Sequence, residues 1–372
     1  MTDIKKFEPM WNSWYLDSLI GEGAFGKVYK LLRKQFGKTY FSAVKHISIP
    51  LFASEVKQLK GEGMDANSLA SYYHKLVSEL VREIEIMSKF KGNSNIVSLE
   101  DHMVVPKADG IGYDILIRME LLISLADFTL DKMLPYNEVI KLGIHICRAL
   151  ELFALENITH RDIKPGNIFI SPYGDYKLGD FGVARQVERS TSGMTKKTGT
   201  EQYMAPEVWL GHHYNFNVDM YSLGIVMYRF LNQSRTPFLP DPPHPITPHD
   251  RDEALRRRMQ GEPIPPIRRL SSQLNAILLK ACSFDPRLRY PNPAAMRADL
   301  EAVPLSNMST PVFSQAQASP RPFVAQSDDR TGIMFDAASA RGFPARLSND
   351  DEIAIMLQTA KGSYASPDYL VK

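Results

Sequence analysis

Glycines, a lysine and a glutamate in the first hundred residues are spaced as phosphate chemistry would need them. The string Gly21-Glu22-Gly23-Ala24-Phe25-Gly26-Lys27-Val28 is rich in glycine. Glycines at that spacing let backbone N–H groups approach phosphate oxygens without a Cβ in the way. Dinucleotide-binding folds carry the same string, but there a helix follows and takes the pyrophosphate on its N-terminus. Here Val28-Tyr29-Lys30-Leu31 continues as a strand, so the loop joins two strands. Taken alone, the motif is equally an ordinary glycine hairpin. Nineteen residues past Gly26, Ala43-Val44-Lys45 lies in an alternating, β-branched stretch. A lysine there can simply snorkel to solvent. Residues 76–90 carry a helical apolar stripe of Leu76, Leu80, Met87 and Phe90, and continuing the spacing sets Glu83 on it. A carboxylate on a core-facing stripe is costly unless paired. Lys45 is its candidate partner; a half-exposed glutamate at the stripe's edge is the alternative.

A second group is far more specific. His160-Arg161-Asp162-Ile163-Lys164-Pro165-Gly166-Asn167 is followed by Asp180-Phe181-Gly182 and then Ala205-Pro206-Glu207. In this order, after GEGAFGKV, AVK and a Glu-bearing helix and before the VDMYSLG helix, the motifs resemble the eukaryotic-type (Hanks-type) serine/threonine protein kinase family. The style of GTEQYMAPE is most similar to bacterial members. The resemblance covers about residues 11–303. It implies an α+β, two-lobed protein kinase fold, with a small strand-rich N-terminal lobe (11–119) and a larger helical C-terminal lobe (123–303).

The resemblance also implies a chemistry: ATP- and Mg²⁺-dependent transfer of the γ-phosphate to serine or threonine hydroxyls of protein substrates, with Mn²⁺ as the alternative ion. Such transfer needs positioning and charge neutralisation more than covalent work. Asp162 would accept the proton of the substrate hydroxyl. Asn167 and Asp180 would hold the metal ions, as oxygen ligands suited to hard cations. Lys45 would hold the α- and β-phosphates, oriented by Glu83 with Glu79 as runner-up, and Lys164 would reach the transferred phosphate. The nucleotide-binding set implied is Gly21, Glu22, Gly23, Ala24, Phe25, Gly26, Val28, Ala43, Lys45, Glu83, Glu120 and Leu122. Glu120 and Leu122 would act through their backbones as the hinge behind the gatekeeper Met119; Ile168 or Phe169 would lie against the adenine. His160 and Phe181 would stack in a regulatory spine, Asp219 would anchor the catalytic loop, and Glu207 would pair with Arg289. By the same resemblance Arg161 and Arg185 would mark control by a phosphate on the loop after Asp180, with Thr195 the first candidate and Thr191 or Ser192 the second, while Thr200 resembles the residue that faces the catalytic site. Two molecules pairing transiently could phosphorylate each other there. A pseudokinase-type binding scaffold is the alternative, although such proteins lose Lys, Asp or DFG residues that are retained here. A small-molecule phosphotransferase would lack the APE segment.

The elements that must position these groups follow from pattern. Strand signals cluster around residues 15–32 and Tyr40–Ile49, and helical periodicity dominates from Pro135 onward, interrupted by short strands near 167–170 and 176–178. Six prolines make 236–249 a loop. Thirty-eight positions separate Lys45 from Glu83, about twenty more than many kinases use, so residues 50–75 are an insertion. It is either an extra helix before or beside the Glu-bearing helix or a solvated excursion, and a docking or dimerisation surface is the functional alternative. Residues 304–372 shift to Ser, Ala, Pro and Gln and read as a disordered tail, with one helical segment at 350–361.

Composition narrows the classes. The chain of 372 residues balances 44 basic against 42 acidic residues, a net +2 that gives no support to a nucleic-acid partner. Its two cysteines, Cys147 and Cys282, sit in apolar helical stretches and read as core, which excludes a disulfide framework. No apolar run reaches the roughly 18–20 residues of a membrane span. The N-terminus lacks a signal-peptide core. The reading is a cytoplasmic protein, unless a longer native chain carries a membrane anchor. Histidines 212, 213, 244 and 249 lack metal-ligand spacing and read as surface residues.

Overall fold

The computed structural model describes residues 3–23, 26–180, 199–212, 216–268 and 270–304. The loop threonines and serines at 190–198, Phe181, Arg185 and the tail, with its segment 350–361, lie outside them. The fold is α+β and two-lobed. In the N-terminal lobe, β1 (Tyr15–Gly23), β2 (Gly26–Gln35), β3 (Lys38–Ile49), β4 (Leu99–Pro106) and β5 (Tyr113–Met119) form one antiparallel sheet in the order β1-β2-β3-β5-β4. Strand alternation sorts it into two faces. Val44, Tyr29, Leu31 and Leu116 meet a cap made by Ile4, Met10 and Trp14. Ile47, Ile49, Ile115 and Ile117 join the main core on the other side, and Lys45 shares their parity on β3. His46, of opposite parity, lies under the cap, where Asp114 accepts from its Nε2 at 2.8 Å and from Lys6 Nζ at 2.9 Å. Burial pushes the Asp114 carboxyl up, but these two donors outweigh it and hold the group well below the usual carboxylate range.

The insertion is structured. It forms α1 (Ala53–Gly61) and the first turns of α2 (Ala66–Ser88), so the Glu-bearing helix begins ten residues before the apolar stripe suggested. Asp65 caps α2, accepting from Ser68 N at 2.7 Å. Val56, Leu59 and Met64 pack on the main core, and Leu69 and Tyr73 are fully buried. The insertion thickens the lobe rather than looping into solvent. Along α2 the buried stripe is Leu69, Tyr73, Leu76, Val77, Leu80, Ile84 and Met87. Ile84 takes the central position, and Glu83 is half-buried at the edge.

The C-terminal lobe begins with β6 (Ile123–Ser124), α3 (Leu125–Phe128) and α4 (Tyr136–Leu155). The strands β7 (Ile168–Ile170) and β8 (Tyr176–Leu178) complete a small sheet in the order β6-β7-β8. Helices α5 (Pro206–Trp209), α6 (Asn217–Leu231), α7 (Pro248–Met259), α8 (Ser272–Ala281) and α9 (Pro293–Glu301) follow. Residues Asn217 to Tyr228 of α6 are buried without a break, as a helix does when it is enclosed on all sides. Its Gly224 admits close packing: a Cβ there would lie 2.6 Å from Cys282 Sγ. Cys147 and Cys282 are both buried, and burial pushes the Cys282 thiol up to about 12. No helix among the described residues is long and apolar enough to cross a membrane.

Candidate active site

Lys45 enters the cleft from β3, opposite Val28 on β2 and Ile117 on β5, and is 8% exposed. Its ammonium contacts the Asp180 carboxylate. Asp180 has φ 54, a left-handed conformation that is uncommon outside glycine. Surrounding protein pushes its carboxyl up, yet Lys45 first, then Lys164, outweigh this and hold it low. The expected Lys45–Glu83 ion pair is not formed among the described residues. Asp180 has taken the ammonium, and Ile84 rather than Glu83 centres the sheet-facing stripe of α2. Burial raises the Glu83 carboxyl, and the positive charge that opposes this comes from Arg161. Glu79, the other candidate, is exposed.

The catalytic string is fixed from beneath. Asp219, buried near the start of α6, accepts from the backbone N–H of both His160 and Arg161 at 2.7 Å. Burial pushes its carboxyl up, and the two N–H donors work against that. The His160 ring donates from Nε2 to Gly179 O at 3.0 Å, and its Nδ1 accepts from Asp162 N at 3.3 Å, which places the ring proton on Nε2. His160 stacks on Phe153 with ring centroids 6.3 Å apart. Arg161 itself adopts φ 66. The turn that follows brings Asn167 back: its Nδ2 donates to Asp162 Oδ2 at 2.8 Å and to Asp162 O at 2.9 Å. Lys164 Nζ lies 2.9 Å from the same Oδ2. The β7–β8 hairpin then returns the chain, Gly179 N donating to Asn167 O at 2.9 Å, so that Asp180 stands beside Asn167. Asp162, Lys164, Asn167, Asp180 and Lys45 therefore converge on one cleft.

The glycine loop arches from β1 to β2, with Gly23 paired to Gly26; Ala24 and Phe25 lie outside the described residues. A Cβ on Gly26 would meet His46 O at 2.3 Å, so this glycine is demanded by close backbone packing on β3. Gly21 pairs with Val28, and a Cβ there would sit 3.8 Å from the Val28 side chain. Across the cleft, Met119 pairs with Ala43 and Leu99, and its carbonyl accepts from Ser42 Oγ at 2.7 Å. The Glu120 carboxylate is pinned by Ser98 N at 2.6 Å and by Lys177 Nζ at 2.7 Å. Sequence reasoning missed that nearly buried pair. A lone lysine between Tyr176 and Leu178 in a three-residue strand gave no signal for it. Leu122 follows in the connection to β6. Behind Met119, a cavity of about 40 Å³ reaches Lys45, Asp180, Ile84 and Met87, with room for a water or two. Ile168 is fully buried and Phe169 half-buried. Farther out, Arg289 makes a bidentate pair with Glu207, at 2.5 and 2.8 Å, both side chains almost fully buried.

The donor set also fits a hard cation. Asn167 uses its Nδ2 on Asp162, which leaves the amide oxygen as the ligand atom, and Asp180 adds carboxylate oxygens.

Fold and site together define the class: a two-lobed α+β protein in which two ammonium groups, two carboxylates and an amide meet in a cleft beside a glycine loop. A family model described as the protein kinase domain matches residues 14–300, and the chain belongs to the protein kinase family. It is similar to the probable serine/threonine-protein kinase CPE1738 of Clostridium perfringens, 29% identical over 297 residues, covering 78% of this chain and 38% of that one. The serine/threonine-protein kinase PknB of Mycobacterium leprae is 33% identical over 219 residues, covering 58% of this chain and 32% of its own. The serine/threonine-protein kinase TIO of Arabidopsis thaliana is 30% identical over 281 residues, covering 76% and 18%. The chain spans less than two fifths of the length of each of these relatives.

Proposed function

We propose that this chain is a protein serine/threonine kinase that transfers the γ-phosphate of ATP, with Mg²⁺, to hydroxyls of protein substrates. The observation that most supports this is the Asp162 carboxylate held between Asn167 Nδ2 and Lys164 Nζ, with Asp180 and Lys45 facing the same cleft. Asp162 takes the proton of the substrate hydroxyl. The hydroxyl oxygen bonds to the γ-phosphorus as the bond to the bridging oxygen of the departing diphosphate breaks. Lys164 meets the charge on the transferred group, and Lys45 meets that on the α- and β-phosphates. Bound through Asn167 and Asp180, Mg²⁺ supplies neutralisation of phosphate charge. The backbones of Glu120 and Leu122 orient the adenine, while Gly21 to Gly26 cover the phosphates.

The reading includes phosphorylation of the segment after Asp180 by a transiently paired second copy, at Thr195 first. Buried thiols and the use of ATP support a cytoplasmic setting, which cell fractionation would test. Incubation of wild type and Asp162→Asn with labelled ATP and a mixed protein substrate tests the whole reading. The variant should lose about two to four decades of turnover while still binding nucleotide. Phosphosites mapped on the chain itself in the same reaction test the loop assignment. Near-normal turnover by Asp162→Asn would remove Asp162 from its role. No turnover by wild type, with nucleotide bound, would favour the binding-scaffold alternative.

A further inference from the structure

A second cavity, of about 310 Å³, opens on the C-terminal lobe and shares no lining residue with the cavity behind Met119. Its walls include Gln202 and Tyr203 ahead of α5, Arg229 near the end of α6, Thr236 in the loop that follows, and Arg251 and Arg258 of α7. Three cationic side chains line it, and no carboxylate does. Neighbouring arginines of α7 behave differently. Arg256 pairs with Glu253, and Arg257 with Glu262. Among the described residues, none of Arg229, Arg251 and Arg258 has a carboxylate within ion-pair distance. The helix turns its compensated arginines away and gives its uncompensated ones to the cavity.

Arg258 is the strongest sign of a built site. It is 4% exposed, and its Nη2 donates to Glu201 O at 2.8 Å while its Nη1 donates to Gln202 O. Its Nε is buried without a hydrogen-bond partner. Arg229 Nη1 donates to Tyr203 OH at 2.9 Å. Backbone carbonyls and a phenol share these charges but do not neutralise them. A buried cation lacking a counter-ion is costly, and three around one cavity repel. An anion entering the cavity would relieve both, and guanidinium groups match carboxylate and phosphate oxygens in pairs.

Position says whose anion this would be. Asp219, near the start of α6, holds the backbone of the catalytic string. Arg229 lies ten residues along the same helix, about 15 Å at the helical rise per residue. An extended peptide covers that distance in about four to five residues. The segment Gly199–Tyr203 enters the cavity wall at Gln202 and Tyr203.

We propose that this cavity is a subsite for an anionic side chain of the protein substrate, a carboxylate or a phosphate about four to five residues from the acceptor hydroxyl. Arg229 and Arg251 grip the anion and the immobilised Arg258 charges the floor. The proposal rests on the protein-kinase reading above.

The test uses the full chain and peptides with a single threonine acceptor. Each carries alanine, aspartate, phosphoserine or arginine four or five residues to either side. Two quantities are read for each peptide: equilibrium binding by fluorescence anisotropy, and kcat/KM. Aspartate or phosphoserine should be favoured over alanine by about tenfold in both. Preference for phosphoserine alone would identify the ligand as a previously phosphorylated residue; preference for both would identify acidic sequences generally. Arg251→Glu, at an exposed position, should turn the preference toward the arginine peptide, which misfolding cannot imitate, and Arg251→Lys should keep it anionic. Equal binding and turnover across the series, or an unchanged ratio in Arg251→Glu, overturns the subsite while leaving the kinase reading intact. Tighter binding of anionic peptides with no phosphorylation of any peptide would instead sustain the subsite and sink the kinase reading.

Discussion

Asp219→Asn isolates the anchor of the catalytic string from the chemistry it supports. The carboxylate accepts two backbone N–H bonds, both at 2.7 Å, from consecutive residues, and Asp219 is 2% exposed. Asparagine keeps one acceptor oxygen and presents an NH₂ to the other N–H, so one of the two bonds is lost and replaced by a donor facing a donor. A hydrogen bond to a charged group contributes about 1.5–3 kcal/mol. At about 2 °C per kcal/mol for a domain of this size, the melting temperature should fall by about 3–6 °C. The effect on turnover should be larger. His160 and Arg161 immediately precede Asp162, and displacing a catalytic group by about 1 Å costs about a hundredfold. The affinity for ATP should change little, because Glu120, Leu122 and the glycine loop do not rest on Asp219. Thermal melts, steady-state kinetics and nucleotide titration would be run on wild type, Asp219→Asn and Asp162→Asn. The last should lose turnover with little change in melting temperature. Wild-type turnover in Asp219→Asn, or a melting temperature within about 1 °C of wild type, would refute the claim that this carboxylate holds the loop in register.

Other perturbations have equally direct readouts. Glu207→Ala or Arg289→Met should each cost about 3–5 kcal/mol in denaturant melts, because each strands a buried charge. The double variant Glu207→Ala/Arg289→Met should cost less than the sum, and additive losses would deny the pairing. Gly26→Ala should lower stability by about 1–3 kcal/mol through overpacking against His46 O and raise the KM for ATP. Gly21→Ala should leave stability within about 0.5 kcal/mol, and equal damage from both would contradict the packing argument. Asp114→Asn gives a pH test. The folded carboxyl titrates below its unfolded value, so its contribution is complete above the unfolded pKa of about 3.9 and is lost as pH falls through the folded value. The variant should be about 1.5–3 kcal/mol less stable at pH 7, with the gap closing in acid below about pH 4. A gap that is constant with pH would show that shape rather than charge is responsible.

Local chemistry makes much of this protein readable. The string from His160 to Asn167 is a tight turn whose members bond to one another, so its sequence carries its own geometry. The strands 168–170 and 176–178 and the proline-rich loop ahead of α7 are legible for the same reason: alternation and missing N–H donors act over a few residues. The strand pattern after Gly26 likewise separates this loop from a dinucleotide fold on neighbouring residues alone. The Glu207–Arg289 pair and the Asp219 anchor span long separations and came from family resemblance rather than from spacing.

Tertiary placement settles the rest. Apolar spacing in α2 puts Glu83 on the buried stripe, but a stripe is wider than one row, and which row meets the sheet depends on how the helix is rotated against β3 and β5. The packing chose Ile84. The partner of Lys45 followed, because Asp180 arrives from 135 positions away through the β7–β8 hairpin, and no periodicity encodes that approach. The residues of the insertion allow either a solvated excursion or a helix, and it is the burial of Leu69 and Tyr73 in the core that selects the helix. The pinning of Glu120 by Lys177 and the gathering of Arg229, Arg251 and Arg258 around one cavity join residues from separate elements whose local sequences look ordinary. Residue types and short spacings were enough to establish which chemical groups the protein has and the tight turns that present them. Which of those charges face each other was left to the folded chain, because that depends on the relative placement of the two lobes and of the helices packed against them.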